Sequence, residues 1–114
     1  MVVPETRQIA GFSLSLSTVP EQPKAGDLLL RLTLTDQASK PVSNAQVTFV
    51  YRMLMPGMTD SKMTAHHIKN GLYEGTVMFG MAGTWVVTVK VTIPGQLPIA
   101  EKFQFSVVGK GMDS

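Results

Sequence analysis

Thr84-Trp-Val-Val-Thr-Val-Lys-Val-Thr92 sets large apolar residues at every second position, with Trp85, Val87, Val89 and Val91 on one side and Thr, Val and Lys on the other. A period of two is that of a strand, whose successive side chains point to opposite faces, so this stretch predicts a half-buried β-strand. The same alternation continues outward. It puts Phe12, Leu14 and Leu16 inward within 11–17, and Leu28, Leu30, Leu32 and Leu34 within 27–35. Further inward rows are Val47, Phe49, Tyr51, Met53 and Met55 within 45–55, Tyr73, Val77 and Phe79 within 72–80 with Met81 closing that row, and Phe103, Phe105 and Val107 within 101–108. A short strand at 64–68 makes seven.

Turn residues fall between these runs: 36–41, Asn70-Gly71, Ala82-Gly83 and Pro94-Gly95. Pro20-Glu-Gln-Pro-Lys-Ala-Gly26 reads as an extended connection with edge-protecting prolines. No segment sustains a 3.6 period and no internal repeat is visible. The pattern predicts an all-β chain, an antiparallel β-sandwich of about seven strands. Its boundaries are expected at 11–108, with tails at 1–10 and 109–114.

The 114 residues suffice for one core and not for two domains, and 44% hydrophobic against 16% charged residues predicts a packed domain rather than a disordered one. The ten basic and eight acidic residues are spread singly along the chain. Read in sequence, they form neither a nucleic-acid footprint nor a polybasic membrane patch. There is no apolar run long enough to span a bilayer and no signal-peptide pattern at the start. Met1-Val-Val-Pro is compatible with an artificial start on a segment of a longer secreted or anchored precursor. The absence of cysteine excludes disulfides and zinc-thiolate sites, and it fits an oxidising compartment without requiring one.

The chemistry concentrates in Tyr51-Arg-Met-Leu-Met-Pro-Gly-Met-Thr-Asp-Ser-Lys-Met-Thr-Ala-His-His67, which holds four of the eight methionines and both histidines. Thioethers and imidazoles suit copper, the thioether in particular soft Cu(I). The segment 56–63 is longer than a turn needs, and extra loop on a rigid scaffold is where function commonly sits. If antiparallel strands succeed one another simply, Met55, Met58, Met63, His66, His67 and Met81 all fall at one end of the sandwich. Adjacent histidines in an extended segment diverge, so one of the two reaches a given metal. Methionine is also an adaptable core filler, and Met53 and Met78 are assigned to packing on that ground. Met55 and Met81, at the core's rim, fit either role. Met58 and Met63, in polar loop sequence, fit ligation better. Trp85 is expected to anchor the core.

Ala25-Gly-Asp27 before an alternating strand, Lys40-Pro-Val-Ser-Asn-Ala-Gln-Val47, Met55-Pro-Gly-Met58, Gly71-Leu-Tyr-Glu-Gly75 and Phe79-Gly-Met-Ala-Gly-Thr-Trp-Val-Val-Thr-Val89 occur in an order that resembles the YtkA-like (FixH-related) domains of bacterial envelope proteins. The resemblance covers roughly Gly11 to Val108. It implies an immunoglobulin-like fold, a periplasmic or otherwise extracytoplasmic location with frequent lipid or membrane anchoring, and a role in copper handling or copper-oxidase assembly. It also implies a metal role for Met55 and Met58. In that family a histidine commonly follows the Met-Pro-x-Met pair closely, whereas here Thr59 and Asp60 follow and the histidines come at 66 and 67. That departure shifts the expected site toward thioethers and Cu(I).

Two functions from different classes follow. One is a Cu(I)-binding domain for copper delivery, resistance or oxidase assembly, passing the ion to a copper-accepting partner protein. The other is a non-enzymatic interaction module of an envelope or metal-efflux assembly, with the methionine-rich end as docking surface. Enzymatic function is not expected. The chain has no cysteine nucleophile, no G-x-S-x-G, no H-E-x-x-H and no phosphate loop, and Asp60 and Glu74 lack a spacing for paired acid and base work. A blue-copper redox centre would require the missing thiolate.

Overall fold

Leu28, Leu30, Leu32 and Leu34, each 1% exposed or less, form the spine of one sheet, as their alternation requires. The computed structural model describes residues 5–109, and these hold nine strands: β1 (Glu5–Ile9), β2 (Phe12–Val19), β3 (Gly26–Thr35), β4 (Gln46–Met53), β5 (Ser61–Thr64), β6 (His66–Lys69), β7 (Leu72–Phe79), β8 (Gly83–Thr92) and β9 (Ile99–Val107). Five of them form one antiparallel sheet in the order β1-β2-β3-β7-β6, and four form the facing sheet in the order β5-β4-β8-β9.

The core between the sheets combines the leucine row with Val47, Phe49, Tyr51 and Met53 of β4, Tyr73, Val77 and Phe79 of β7, Trp85, Val87, Val89 and Val91 of β8, and Phe103 of β9. Every residue of the opening motif that was expected inward is inward.

Two expectations are corrected. The expected tail 1–10 contains β1, which pairs with β2 through a tight turn at Ala10 and Gly11, both with positive φ. Arg7 reaches from β1 to the other sheet, lying 3.8 Å from Glu101 and 5.0 Å from the centre of the Phe103 ring. Residues 1–4 and 110–114 of the expected tails lie outside the described residues. The expected strand 64–68 is two strands, because the chain steps at Ala65 from the edge of one sheet to the edge of the other. Polar Ser61, Lys62 and Thr64 flank a single inward Met63, so β5 carries too short an alternation to be read.

At one end of the sandwich Tyr73 ties the β3–β4 connection down. Its hydroxyl donates to the Val42 carbonyl at 2.8 Å and accepts from the Ala45 amide at 3.1 Å. Gly71, with φ of 77°, fits there because a Cβ would stand 2.5 Å from the Leu34 carbonyl oxygen. The opposite end carries the methionines.

Candidate metal centre

The pairing of β4 with β8 runs one residue past Met53, where the Leu54 amide donates to the Thr84 carbonyl at 2.8 Å. The next amide, of Met55, turns back to the Met53 carbonyl at 2.9 Å, which throws the chain out of the sheet. Met55 therefore leaves the inward row of β4 and stands 44% exposed instead of at the core's rim.

Met55-Pro56-Gly57-Met58 then forms a turn closed by the Met58 amide on the Met55 carbonyl at 3.4 Å, with Gly57 at φ 83°. Proline at the second position and a positive φ at the third define a type II turn, which brings its first and last Cα atoms within about 7 Å. Met55 and Met58 are thus held at the two ends of one bend, both with exposed side chains. Beyond it Arg52 Nε lies 3.6 Å from Asp60 Oδ1, an exposed pair that holds the returning limb only weakly.

Met81 lies on the β7–β8 connection, at the same end of the sandwich, and is half exposed. Its carbonyl accepts from Trp85 Nε1 at 2.9 Å. The Trp85 ring stacks on Phe79 at 4.6 Å and 18°, with Tyr51 at 5.8 Å from Phe79 and 6.5 Å from Trp85. This aromatic trio closes the core beneath the methionines. Leu54, 52% exposed, extends the same apolar end and was not singled out from the sequence, since a lone leucine after a strand carries no signal.

The six sequence candidates do not share one place. Met55, Met58 and Met81 lie on the two connections at the same end of the sandwich, where the end of β4 meets the start of β8. Met63 lies opposite Phe49 in β4, in the space over Gly75, where a Cβ would meet Met63 Cγ at 3.1 Å. That is a packing position, four residues down β4 from Met53, or about 14 Å at about 3.4 Å per residue. His66 and His67 pair with Glu74 and Tyr73. They sit five residues or more down β7 from Phe79, about 17 Å from the methionine end. His67 lies 5.1 Å from the Tyr73 ring, both histidines are exposed, and among the described residues no three His, Asp or Glu side chains group as a metal site. The expectation of one shared end failed because the chain crosses between sheets early, at Ala65, which sends the histidines toward the Tyr73 end.

Met53 packs as expected: it is buried, and a Cβ on Gly83 would overlap its methyl group. Met78, also assigned to packing, is instead 52% exposed on the outer face opposite Asp27.

Two antiparallel sheets in this strand order, closed at one end by an aromatic trio and fringed with thioethers, make an immunoglobulin-like β-sandwich with a methionine-rich end. The chain belongs to the YtkA-like family, whose model matches residues 6–90, a span that includes the turn, Met81 and Trp85. Among solved structures it is similar to a DUF4426 family protein from Pseudomonas aeruginosa, with a TM-score of 0.68 and 11% identity over 92% of this chain and 94% of that one. It is also similar to the PmoD soluble domain from Methylocystis sp., with a TM-score of 0.63 and 12% identity over 94% and 98% of the two chains. A DUF4785 family protein from Legionella pneumophila gives 0.55 and 16% identity over 90% of this chain, which spans 29% of that protein. At these identities the likenesses show the fold alone. Among curated proteins none matches the chain in sequence.

Proposed function

We propose that this is an extracytoplasmic copper-binding domain that holds Cu(I) through Met55, Met58 and Met81 for delivery, resistance or oxidase assembly. The observation that supports the reading is the type II turn Met55-Pro56-Gly57-Met58, which holds two exposed methionines at the ends of one bend, with exposed Met81 on the β7–β8 connection at the same end of the sandwich. Three neutral, soft donors with no carboxylate or imidazole among them fit Cu(I) in preference to Cu(II) or zinc. The copper role suggested for YtkA-like domains points the same way. Thioethers leave the bound cation's charge uncompensated, so an acceptor with thiolate or carboxylate ligands withdraws it readily by ligand exchange at an open, solvent-facing site.

Anaerobic titration with Cu(I) against a chromogenic chelator, with the methionine methyl signals followed by NMR, tests this. Saturable one-to-one binding that shifts Met55, Met58 and Met81 and leaves Met63 in place is the expected result. Absence of competition and of shifts would overturn it.

The exposed Leu54 among the methionines favours a second reading, an interaction module whose methionine-rich end is a plastic apolar contact. Met→Leu changes separate the two, since a docking contact tolerates leucine and a copper site does not.

A further inference from the structure

The cations that are scattered along the sequence are gathered by the fold. On β5, β4, β8 and β9 the even-numbered side chains face outward, and this places Arg52, Lys62, Lys90 and Lys102 on one sheet face. Val50 pairs with both Lys62 and Thr88, and Thr88 pairs with Lys102, so a single row crosses all four strands with a lysine at each end. Lys90 lies one outward step along from Thr88. Among the described residues the one carboxylate on this face is Asp60, from the loop after the methionine turn, and it lies against Arg52. The outer face of the other sheet is mixed, with Asp27 and Glu74 against Arg31 and Lys69, and Arg31 Nε lies 2.8 Å from Glu74.

The basic face is concave. A recess of about 540 Å³ is floored by Val50, Val86 and Thr88, has Lys90 and Lys102 on its wall, and is bounded on the other side by the loop from Met58 to Asp60, whose carboxylate is occupied by Arg52 at 3.6 Å.

We infer that this recess is the docking surface for an acidic segment of a partner protein, one that mixes carboxylates with apolar side chains. The lysines supply charge complementarity, and Val50 and Val86 supply an apolar floor that carboxylates alone would not use. A bilayer presents its headgroups as a near plane and does not enter a recess walled by a loop, whereas side chains of a peptide do. The face is also of the right size for a transient contact. Three strands of eight, ten and nine residues and the four-residue β5, about 4.8 Å apart, offer roughly 500 Å² to a partner, near the low end of specific interfaces when both sides are counted. The inference goes beyond the copper reading and is tested without metal.

The test titrates the isotope-labelled, metal-free protein with a twelve-residue peptide of alternating Asp and Leu, its ends blocked, at low and high salt. The expected result is saturable shifts centred on Val50, Val86, Thr88, Lys90 and Lys102, with affinity falling about tenfold or more from 25 to 250 mM salt. The pair Lys90→Glu and Lys102→Glu should abolish binding. Lys40→Glu with Lys69→Glu, an equal change of net charge at exposed positions elsewhere, should leave most of it. Equal losses in the two double variants, or shifts spread over all lysines, would overturn the site. Saturation of the same shifts by inorganic phosphate, or equal binding to phosphatidylglycerol vesicles, would overturn the acidic segment as its occupant. The substituted side chains are solvent-facing, and an unchanged unfolding midpoint in the variants verifies that the fold is intact.

Discussion

The indole nitrogen of Trp85 donates to the Met81 carbonyl oxygen at 2.9 Å, so the one tryptophan of the chain is fastened to the backbone of a candidate ligand. Cu(I) held at Met81 should therefore change Trp85 emission in a saturable way, with a midpoint equal to that from chelator competition. Met81→Leu should remove most of that change while leaving the apo spectrum as it is.

The double change Met55→Leu and Met58→Leu should weaken Cu(I) binding by a factor of about ten or more, since leucine keeps the apolar volume and removes the donors. Because both side chains are exposed, the urea midpoint should move little. Gly57→Ala keeps every thioether but strains the turn at a φ of 83°, at a loss of about 1 kcal/mol. Its Cu(I) affinity should fall by less than that of the double variant. A loss as large would mean that the turn's shape, not its sulfur, sets the affinity.

Replacing His66 and His67 by alanine should leave Cu(I) affinity within about a factor of two, as the pair stands about 17 Å down the sheet from the thioethers. The same chelator competition checks this, and a large drop would place the ligand set elsewhere.

At the far end of the sandwich the expected effects are on stability alone. Tyr73→Phe strands the Val42 carbonyl and the Ala45 amide, both bound to the hydroxyl, and should destabilise by about 2 kcal/mol. Gly71→Ala combines a positive φ with a collision against backbone, and about 3 kcal/mol or more is expected. Urea unfolding measures both, and Cu(I) affinity should be unchanged in the folded fraction.

The strands that alternate over eight residues or more, β2, β3, β4, β7, β8 and β9, are legible because one face of each is buried and the other wet. β5 and β6 are legible only as one short strand at 64–68: four residues hold barely two turns of the alternation, and His66-His-Ile-Lys69 is exposed on both sides. The break between them decided the site. Once Ala65 is seen to carry the chain between sheets, the histidines leave the methionine end, and the candidates left there are Met55, Met58 and Met81. The turn itself was readable as Pro-Gly. That it exposes Met55 was not, because the backward bond from the Met55 amide to the Met53 carbonyl interrupts an otherwise regular row. The basic face was hidden for another reason: its members are far apart in sequence and meet only through the register of β5, β4, β8 and β9.

The step at Ala65 has an effect on how the molecule behaves in a crowd. It leaves the flank of each sheet bordered by a strand of only four residues, and β6 is further broken by an irregularity between His67 and Lys69. A second chain adding itself there finds almost no regular stretch to pair with, and Lys62 and Lys69 flank what there is. Sheet growth by a second chain is disfavoured on that side, which leaves nine-residue β9 as the longer border at which its sheet could be extended.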